Sequence, residues 1–194
     1  CVALSGPSGA GKSTLMRCLY GNYGVGAGRI LLAHRGEELG LASADPRAVI
    51  EARRQTIGYV SQFLRVIPRV STRDIVADPM MARGMAREDA LARASALLDR
   101  LNLPERLHGL PPATFSGGEQ QRVNLARGFG PRYPVLLLDE PTASLDAGNR
   151  AIVIGLIHEA KQAGTAIVGI FHDAEVREAV ADRAFTVEPM QDAA

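Results

Sequence analysis

The segment Ser116-Gly117-Gly118-Glu119-Gln120-Gln121-Arg122 constrains the fold and class of this chain more than any other feature. It precedes the apolar run 135–138, which ends in Asp139-Glu140. Two glycines allow close backbone approach to a ligand, and a helix beginning at Glu119 would direct its positive end at a phosphate. The same residues fit a capping box, in which Ser116 caps the helix and Glu119 completes the box. Both interpretations can hold together.

A phosphate-binding loop lies near the start of the chain. The apolar strand 2–4 leads into the pattern GxxxxGK[ST], which opens a predicted helix over 14–19. The glycines bring backbone N–H groups to phosphate oxygens, and the helix adds its positive N-terminal end. We expect Lys12 to reach the β- and γ-phosphates and Ser13 to reach magnesium. The candidate nucleotide-binding residues of this loop are Gly6, Ser8, Gly9, Gly11, Lys12, Ser13 and Thr14.

Two carboxylates follow the apolar run 135–138. A continuous apolar run is typical of a strand buried on both faces of a parallel sheet, and ligands bind where such strands end. Asp139 is expected to supply magnesium with a hard oxygen beside Ser13, directly or through water. Glu140 is expected to polarise or deprotonate the attacking water. The alternative for Glu140 is that it only caps the next turn, since Pro141 ends the strand.

Together these segments resemble the ATP-binding-cassette (ABC) ATPase family over essentially the whole chain. The resemblance implies that Gln62 is the Q-loop glutamine, which contacts magnesium and water, and that His172 is the switch histidine, which senses the γ-phosphate. It implies a D-loop over 144–146, with Asp146 at the dimer seam beside the nucleotide. It also implies that residues 116–118 cap the nucleotide of the other subunit. ATP and Mg²⁺ are the expected cofactors, and the expected partner is a second copy or a related cassette.

The expected fold class is α/β. The resemblance implies a P-loop NTPase with a mostly parallel core sheet, a small antiparallel β region and an α-helical subdomain. Residues 1–194 are then a single ABC ATPase domain, with a helical subdomain at about 63–128 inserted in a RecA-like core. A family member carries an antiparallel strand pair and an adenine-stacking aromatic before the first strand seen here. We therefore expect the N-terminal strands to be missing from this sequence.

The periodicity of the chain predicts further elements. Alternation around a Gly-containing turn predicts an antiparallel hairpin, and apolar residues at helical spacing predict two long amphipathic helices. Short apolar runs predict two more strands, one leading into Gln62 and one leading into His172. The predicted ranges are 29–34 and 38–41 for the hairpin, 87–101 and 149–162 for the helices, and 57–60 and 166–171 for the strands.

Composition excludes several classes of protein. With 194 residues, 46% hydrophobic residues and a net charge of +1, the chain can bury a core and has no broad basic footprint for nucleic acid. Two cysteines are too few for a disulfide framework, and no apolar run approaches the ~20 residues that span a bilayer. We expect a cytoplasmic protein without a nucleic-acid partner. A local group of arginines is expected to be solvated or to face a partner: Arg53, Arg54, Arg65, Arg69 and Arg73.

A narrower resemblance appears in the segments 60–71, 115–124 and 167–173. These look like the PhnL group, the ABC-type subunits of the bacterial carbon-phosphorus lyase system, which releases phosphate from phosphonates. Two departures from common ABC sequences agree with this resemblance. They are Phe171, which precedes the switch histidine, and Phe129-Gly130. This resemblance implies ATP-driven dimerisation that acts on the subunits of a cytoplasmic lyase complex.

Two alternatives stay open from the sequence. The first is the ATPase subunit of an ABC transporter for lipoproteins or small substrates, whose partner is a membrane permease, because the superfamily shares this motif set. The second is a chromosome-condensing ATPase. Such proteins separate the two motifs by a very long coiled coil, whereas Ser13 and Ser116 lie roughly 100 residues apart with no sustained heptads between them.

Overall fold

A five-stranded, all-parallel sheet lies at the centre of the computed structural model, which describes residues 1–64 and 68–189. Its strands are β1 (Val2–Ser5), β4 (Ile57–Val60), β5 (Val135–Asp139), β6 (Ala166–Ile170) and β7 (Arg183–Thr186), and a separate two-stranded sheet contains β2 (Leu31–His34) and β3 (Glu37–Gly40). The helices are α1 (Lys12–Leu19), α2 (Pro46–Gln55), α3 (Thr72–Met81), α4 (Arg87–Arg100), α5 (Gly117–Phe129), α6 (Ala147–Gln162) and α7 (Ala174–Val180). Short 3₁₀ turns cover Glu105–Leu107 and Pro112–Thr114. Residues 65–67 of segment 60–71 lie outside the described residues, and Arg65 of the predicted arginine group is one of them.

The order of the strands in the sheet is β4-β5-β6-β1-β7. Strand β6 pairs with β1 on one side, Val2 opposite Val168, and with β5 on the other, Val135 opposite Ala166. Because all these strands are parallel, their carboxyl ends meet at one edge of the sheet. The segments that follow β1, β5 and β6 therefore lie side by side there. The parallel core sheet predicted from the sequence is confirmed.

Side chains of the sheet enter two apolar layers. On β5, Leu136 and Leu138 contact the layer that contains α3, α4, α5 and α6, whereas Leu137 contacts the layer that contains α1 and α2. This alternation follows from the two-residue period of a strand. Both faces of the sheet are covered by helices, which is why the run 135–138 is apolar throughout.

The predicted hairpin is confirmed, with bounds shifted by one or two residues. Strands β2 and β3 pair antiparallel, His34 opposite Glu37. Arg35 and Gly36 form the turn with φ of 51° and 84°. A two-residue hairpin turn of type I′ has positive φ at both of its positions, which glycine adopts readily and arginine adopts only with strain.

Along the sequence, the three helices α3, α4 and α5 come between β4 and β5. The predicted helix 87–101 is confirmed as α4, with Ala94 and Leu98 fully buried. The prediction that the next helix begins at Glu119 was wrong, because α5 begins at Gly117 with Ser116 as its N-cap. The predicted helix 149–162 likewise begins earlier, at Ala147, because Asp146 caps it. The division of the chain into a core and a helical subdomain stays a prediction.

The end of α6 and the return to the sheet also follow the prediction. Gly164 has a φ of 87°, a left-handed conformation that ends a helix, and β6 begins at Ala166. Across residues 1–64 and 68–189, no helix has both the length and the apolar character needed to cross a membrane.

Candidate functional site

The phosphate-loop candidates form a tight turn between β1 and α1. Gly6 has a φ of 133°, and a Cβ atom at this position would lie 2.4 Å from the carbonyl oxygen of Val187. Gly11, with a φ of 92°, is the N-cap of α1. Lys12 is folded back over the loop, because its Nζ donates to the carbonyl oxygens of Gly6 and Pro7 at 2.8 Å each. The lysine charge is thus held at the loop by neutral acceptors only.

Asp139, at the end of β5, is 3% exposed and meets Ser13 from the phosphate loop. Ser13 Oγ donates to Asp139 Oδ1 at 3.3 Å, and Tyr59 OH donates to Asp139 Oδ2 at 2.9 Å. Burial, followed by the negative charge of Asp139, raises the pKa of the Tyr59 hydroxyl, which therefore stays a donor. Among the described residues no lysine or arginine forms an ion pair with Asp139. A buried carboxylate held only by neutral donors favours a cation beside it.

Glu140 brings together two residues that lie far from it in the sequence. Gln62 Nε2 donates to Glu140 Oε2 at 3.1 Å, and His172 Nε2 lies 2.7 Å from Glu140 Oε1. Glu140 has a φ of 53°, a conformation that a non-glycine residue adopts at a cost of about 1 kcal/mol or more. The strained turn directs its carboxylate between the segments that follow β4 and β6. The other two candidate catalytic residues, Gln62 and His172, therefore both contact Glu140.

Ser116 forms its contacts within its own helix. Ser116 N and Oγ donate to Glu119 Oε2 at 2.8 and 2.7 Å, and Glu119 N donates to Ser116 Oγ at 3.3 Å. These bonds lower the pKa of the Glu119 carboxyl and confirm the capping box predicted as a second interpretation. Among the described residues, no hydrogen bond joins residues 116–118 to residues 6–14. The structure leaves Ser116 and Gly117 exposed and Gly118 half-buried.

The remaining candidates lie on exposed surface. Ser8, Gly9 and Thr14 are exposed on the phosphate loop and the start of α1. Asp146 is exposed as the N-cap of α6, where it accepts hydrogen bonds from the backbone N and the side-chain Nδ2 of Asn149 at 2.8 Å each. These bonds lower the pKa of the Asp146 carboxyl, which therefore stays ionised over the ordinary pH range.

Three side chains that hold this arrangement were missed by the sequence analysis. Tyr59 bonds to Asp139, as described above. Gln121 and Asn124 are both 4% exposed on α5. Gln121 Nε2 donates to the carbonyl oxygen of Pro141 at 3.0 Å, and Asn124 Nδ2 donates to that of Ser61 at 2.6 Å. Polar residues on the buried face of an apolar helix are a signal that could have identified both.

The same contacts join α5 to the turn after Glu140 and to the segment before Gln62. A cavity of about 130 Å³ lies where these parts meet, lined among others by Gln62, Gly117 and Ser144. A Cβ atom on Gly118 would come within 3.1 Å of the carbonyl oxygen of Ser144, so the start of α5 packs closely on segment 144–146. A displacement of α5 would therefore shift the segment that carries Gln62.

The oxygens around Asp139 fit a magnesium ion. The Ser13 hydroxyl and the Asp139 carboxylate are hard oxygen donors, and Mg²⁺ is usually bound by one or two such protein groups together with waters and substrate phosphates. In the described ranges, no group of three or more His, Cys, Asp or Glu residues could hold a metal ion by itself. The donor set agrees with a metal that binds together with a nucleotide.

A parallel α/β sheet with a glycine-rich loop after β1 and carboxylates after β5 defines a P-loop nucleotide-hydrolysing protein. The ABC transporter family model matches residues 1–143. The chain therefore belongs to the ABC transporter family and is an ATPase of that family. The fold, the ATPase activity and the family predicted from the sequence are confirmed.

Individual relatives extend the likeness over nearly the whole chain. The lipoprotein-releasing system ATP-binding protein LolD of Shewanella denitrificans is 41% identical over 176 residues, 90% of this chain and 73% of that protein. The arginine transport ATP-binding protein ArtP of Haemophilus influenzae is 38% identical over 188 residues, 96% of this chain and 76% of that protein. The dimeric post-hydrolysis structure of the ATP-binding cassette MJ0796, bound to ADP and Pi, matches with a TM-score of 0.86 and 28% identity over 96% of this chain and 80% of that one.

Proposed function

We propose that this chain is the ATPase subunit of an ABC transporter and acts with a membrane permease. The observation that carries the proposal is the similarity to LolD and ArtP, both named as ATP-binding proteins of transport or release systems, over at least 90% of the chain. The narrower hypothesis, a PhnL-like subunit of a carbon-phosphorus lyase complex, receives no support from these relatives. The transporter alternative therefore takes first place.

In this proposal the phosphate loop holds the triphosphate. Lys12 exchanges its two carbonyl partners for the β- and γ-phosphates, and the backbone from Gly6 to Gly11 lines the phosphates. Ser13 and Asp139 would hold Mg²⁺ together with Gln62. When bound, magnesium neutralises charge on the β- and γ-phosphate oxygens. The pairing of Ser13 with Asp139 supports this assignment.

Glu140 is proposed as the general base. Its carboxylate accepts a proton from the attacking water, and the amide of Gln62 and the ring of His172 hold the two carboxylate oxygens in place. His172 is 68% exposed, so its ring can turn from Glu140 to a γ-phosphate. The contacts of Glu140 with both side chains support a catalytic role over that of a turn cap, because a cap would bond to backbone N–H groups.

The remaining nucleotide contacts come from a partner in this proposal. Ser116, Gly117 and Asp146 are exposed, and together with Gly118 they cap the ATP held by the second subunit of a dimer. The dimeric state of MJ0796 bound to ADP and Pi supports this assembly. ATP binding closes the dimer, and hydrolysis opens it.

A docking surface for the permease is proposed next to Gln62. Phe63 is 75% exposed, although phenylalanine side chains usually avoid water. Because Gln62 bonds to Glu140, a partner that moves Phe63 acts directly on the catalytic base. The exposed position of Phe63 supports a site where transport and hydrolysis are coupled.

Affinity capture tests the proposal. The tagged protein carrying Glu140→Gln is captured with ATP and Mg²⁺ from solubilised membranes and, separately, from the soluble fraction, and its partners are identified by mass spectrometry. We expect a polytopic permease from the membrane sample. The matched variant that also carries Phe63→Ser should dimerise with ATP but lose the permease. Lyase subunits in the soluble sample, or equal permease recovery with Phe63→Ser, would contradict the proposal.

The carbon-phosphorus lyase hypothesis came from the likeness of segments 60–71, 115–124 and 167–173 and from two departures from common ABC sequences, Phe171 and Phe129-Gly130. Phe171 is 4% exposed, and a Cβ atom on Gly169 would lie 2.4 Å from its ring. A Cβ atom on Gly130 would lie 3.2 Å from the sulfur of Met80. Internal packing therefore accounts for both departures without reference to a partner. The soluble sample of the capture experiment is its test.

A further inference from the structure

A second cavity, of about 380 Å³, lies between α4, α5 and α6. It is close to the positions where β5 and β6 begin, because Tyr133, Leu136 and Thr165 line it. The carboxyl ends of these strands carry Asp139 and the segment with His172. None of the candidate nucleotide or catalytic residues lines this cavity, so it is separate from the site described above.

The charges in the lining of this cavity are unbalanced. Arg100 donates to Glu159 from both terminal nitrogens, at 2.7 and 2.5 Å, so these two residues largely satisfy each other. Glu159 is the one carboxylate in the lining, whereas Arg93 and Arg132 line it as well. Within the described residues, neither of these two arginines forms a salt bridge. The lining thus carries three positive charges against one negative charge.

Arg93 shows the consequence of this imbalance. Its Nε atom is buried and has no hydrogen-bond partner among the described residues. Burial, followed by the positive charge of Arg132, lowers the pKa of Arg93. A guanidinium with a buried, unpaired N–H group beside a second guanidinium is an unfavourable arrangement. An anion in the cavity would lie beside the positive charges of both arginines.

Part of the lining of the cavity is apolar. Leu97, Phe129, Leu136 and Leu156 line it, from α4, α5, β5 and α6. These side chains offer no hydrogen bonds to ordered water, which needs two or more polar partners. The volume is within the range of roughly 300–1,000 Å³ found for small-molecule sites. The occupant that fits combines an acidic group with an apolar body.

We propose that this cavity binds a small organic anion. Its carboxylate, sulfonate or phosphate group pairs with Arg93 and Arg132, and its apolar body rests on Leu97, Phe129 and Leu156. The proposal does not depend on the proposed function, because the cavity shares no residue with the nucleotide site. The proposed ligands are small acids that carry one aromatic or branched apolar group.

Calorimetric titration with naphthalene sulfonate, an aromatic anion, tests the proposal. The neutral control ligand is naphthalene sulfonamide, which has the same apolar body. We expect the sulfonate to bind the wild-type protein at least about tenfold more tightly than the sulfonamide, because charge-assisted hydrogen bonds contribute most where they are partly buried. Arg93→Gln and Arg132→Gln should each weaken sulfonate binding about tenfold. Arg47→Gln, at an exposed position on α2, should leave it unchanged.

Two further measurements keep the result decisive. Saturating ADP should not displace the sulfonate, since displacement would place it in the nucleotide site. Ala96→Trp, at an exposed position of the lining on α4, should block the cavity and abolish binding with an unchanged thermal unfolding midpoint. This variant decides the question even where an arginine variant fails to fold. Absent binding, equal affinity for both ligands, equal affinity of the arginine variants, or displacement by ADP would overturn the proposal.

Discussion

Two regions that the family resemblance assigns to ATP differ in how they are held. At the carboxyl edge of the sheet, Asp139 and Glu140 bond to side chains from other segments of the chain, and Asp139 is 3% exposed. At the start of α5, Ser116 is exposed, and within the described residues its side chain bonds only to Glu119, three residues away. The first region is assembled by the fold of one chain. The second is presented to the solvent.

This difference indicates where each region finds its ligand. A site built from several segments keeps its geometry without a partner, because each side chain is fixed by neighbours that fold with it. An N-cap serine is fixed only relative to its own helix, and the helix directs its positive end outward. The arrangement agrees with the proposal that one chain holds the nucleotide and a second chain covers it.

The largest effect is expected from Glu140→Gln, which removes the base and keeps the shape of the assembled region. ATP hydrolysis should fall by about a thousandfold, in the range typical for loss of a general base, while ATP affinity is kept. Steady-state phosphate release measures the first and calorimetry the second. The control Glu38→Gln, exposed on the hairpin, should be unaffected. Equal turnover in Glu140→Gln and wild type would move the base elsewhere, with His172 as the next candidate.

Lys12→Ala removes the positive charge that the phosphate loop offers. We expect ATP affinity to fall by about a hundredfold or more, because the triphosphate loses a charge-assisted contact. Filter binding with labelled ATP measures the change. The matched control is Lys161→Ala, which alters the only other lysine of the chain; that side chain bonds to Asp182, away from the loop. Retained affinity in Lys12→Ala would contradict the role given to this residue.

Ser116→Arg tests the region presented to solvent. The variant should bind ATP as tightly as wild type but fail to dimerise in the Glu140→Gln background, because bulk and charge are placed at the proposed seam. Size-exclusion chromatography with light scattering measures the dimer. Ser71→Arg is the control, since Ser71 caps α3 in the same way and either loss of a cap costs about 1 kcal/mol. Normal dimerisation of Ser116→Arg, or equal loss in both variants, would show that no composite site forms there.

How much was predictable from the sequence also differs between the two regions. The capping box at Ser116 is local, so the sequence predicted it, and only the start of the helix was placed too late. The cap position decides where α5 begins, so the helix starts at Gly117, directly after Ser116, and not at Glu119. At the sheet edge, the sequence predicted Ser13 from the phosphate-loop pattern, and Asp139 and Glu140 from the end of an apolar strand. It could not predict Tyr59, because that contact depends on the pairing of β4 with β5.

Tyr59→Phe is expected to have the smallest effect and sharpens the comparison most. The Tyr59 hydroxyl holds Asp139 Oδ2 and leaves Oδ1 to face Ser13, so its loss frees the carboxylate to turn without removing any proposed metal ligand. Electron paramagnetic resonance measures the binding of Mn²⁺ in the presence of ADP. We expect this binding to weaken by about threefold to tenfold, which corresponds to the loss of one hydrogen bond. The affinity for ADP without metal should be unchanged, because the Tyr59 hydroxyl makes no hydrogen bond to the phosphate loop in the described structure.

The control for Tyr59→Phe is Tyr133→Phe. Tyr133 is also a buried tyrosine whose pKa is raised by burial, but its hydroxyl makes no hydrogen bond to Asp139 in the described structure. If both variants weaken Mn²⁺ binding equally, Tyr59 acts through packing alone. A loss confined to Tyr59→Phe means that the metal ligand is oriented by the neighbouring strand. The assembled region would then owe its geometry to the order of strands in the sheet, whereas the region around Ser116 owes its geometry to a single helix end.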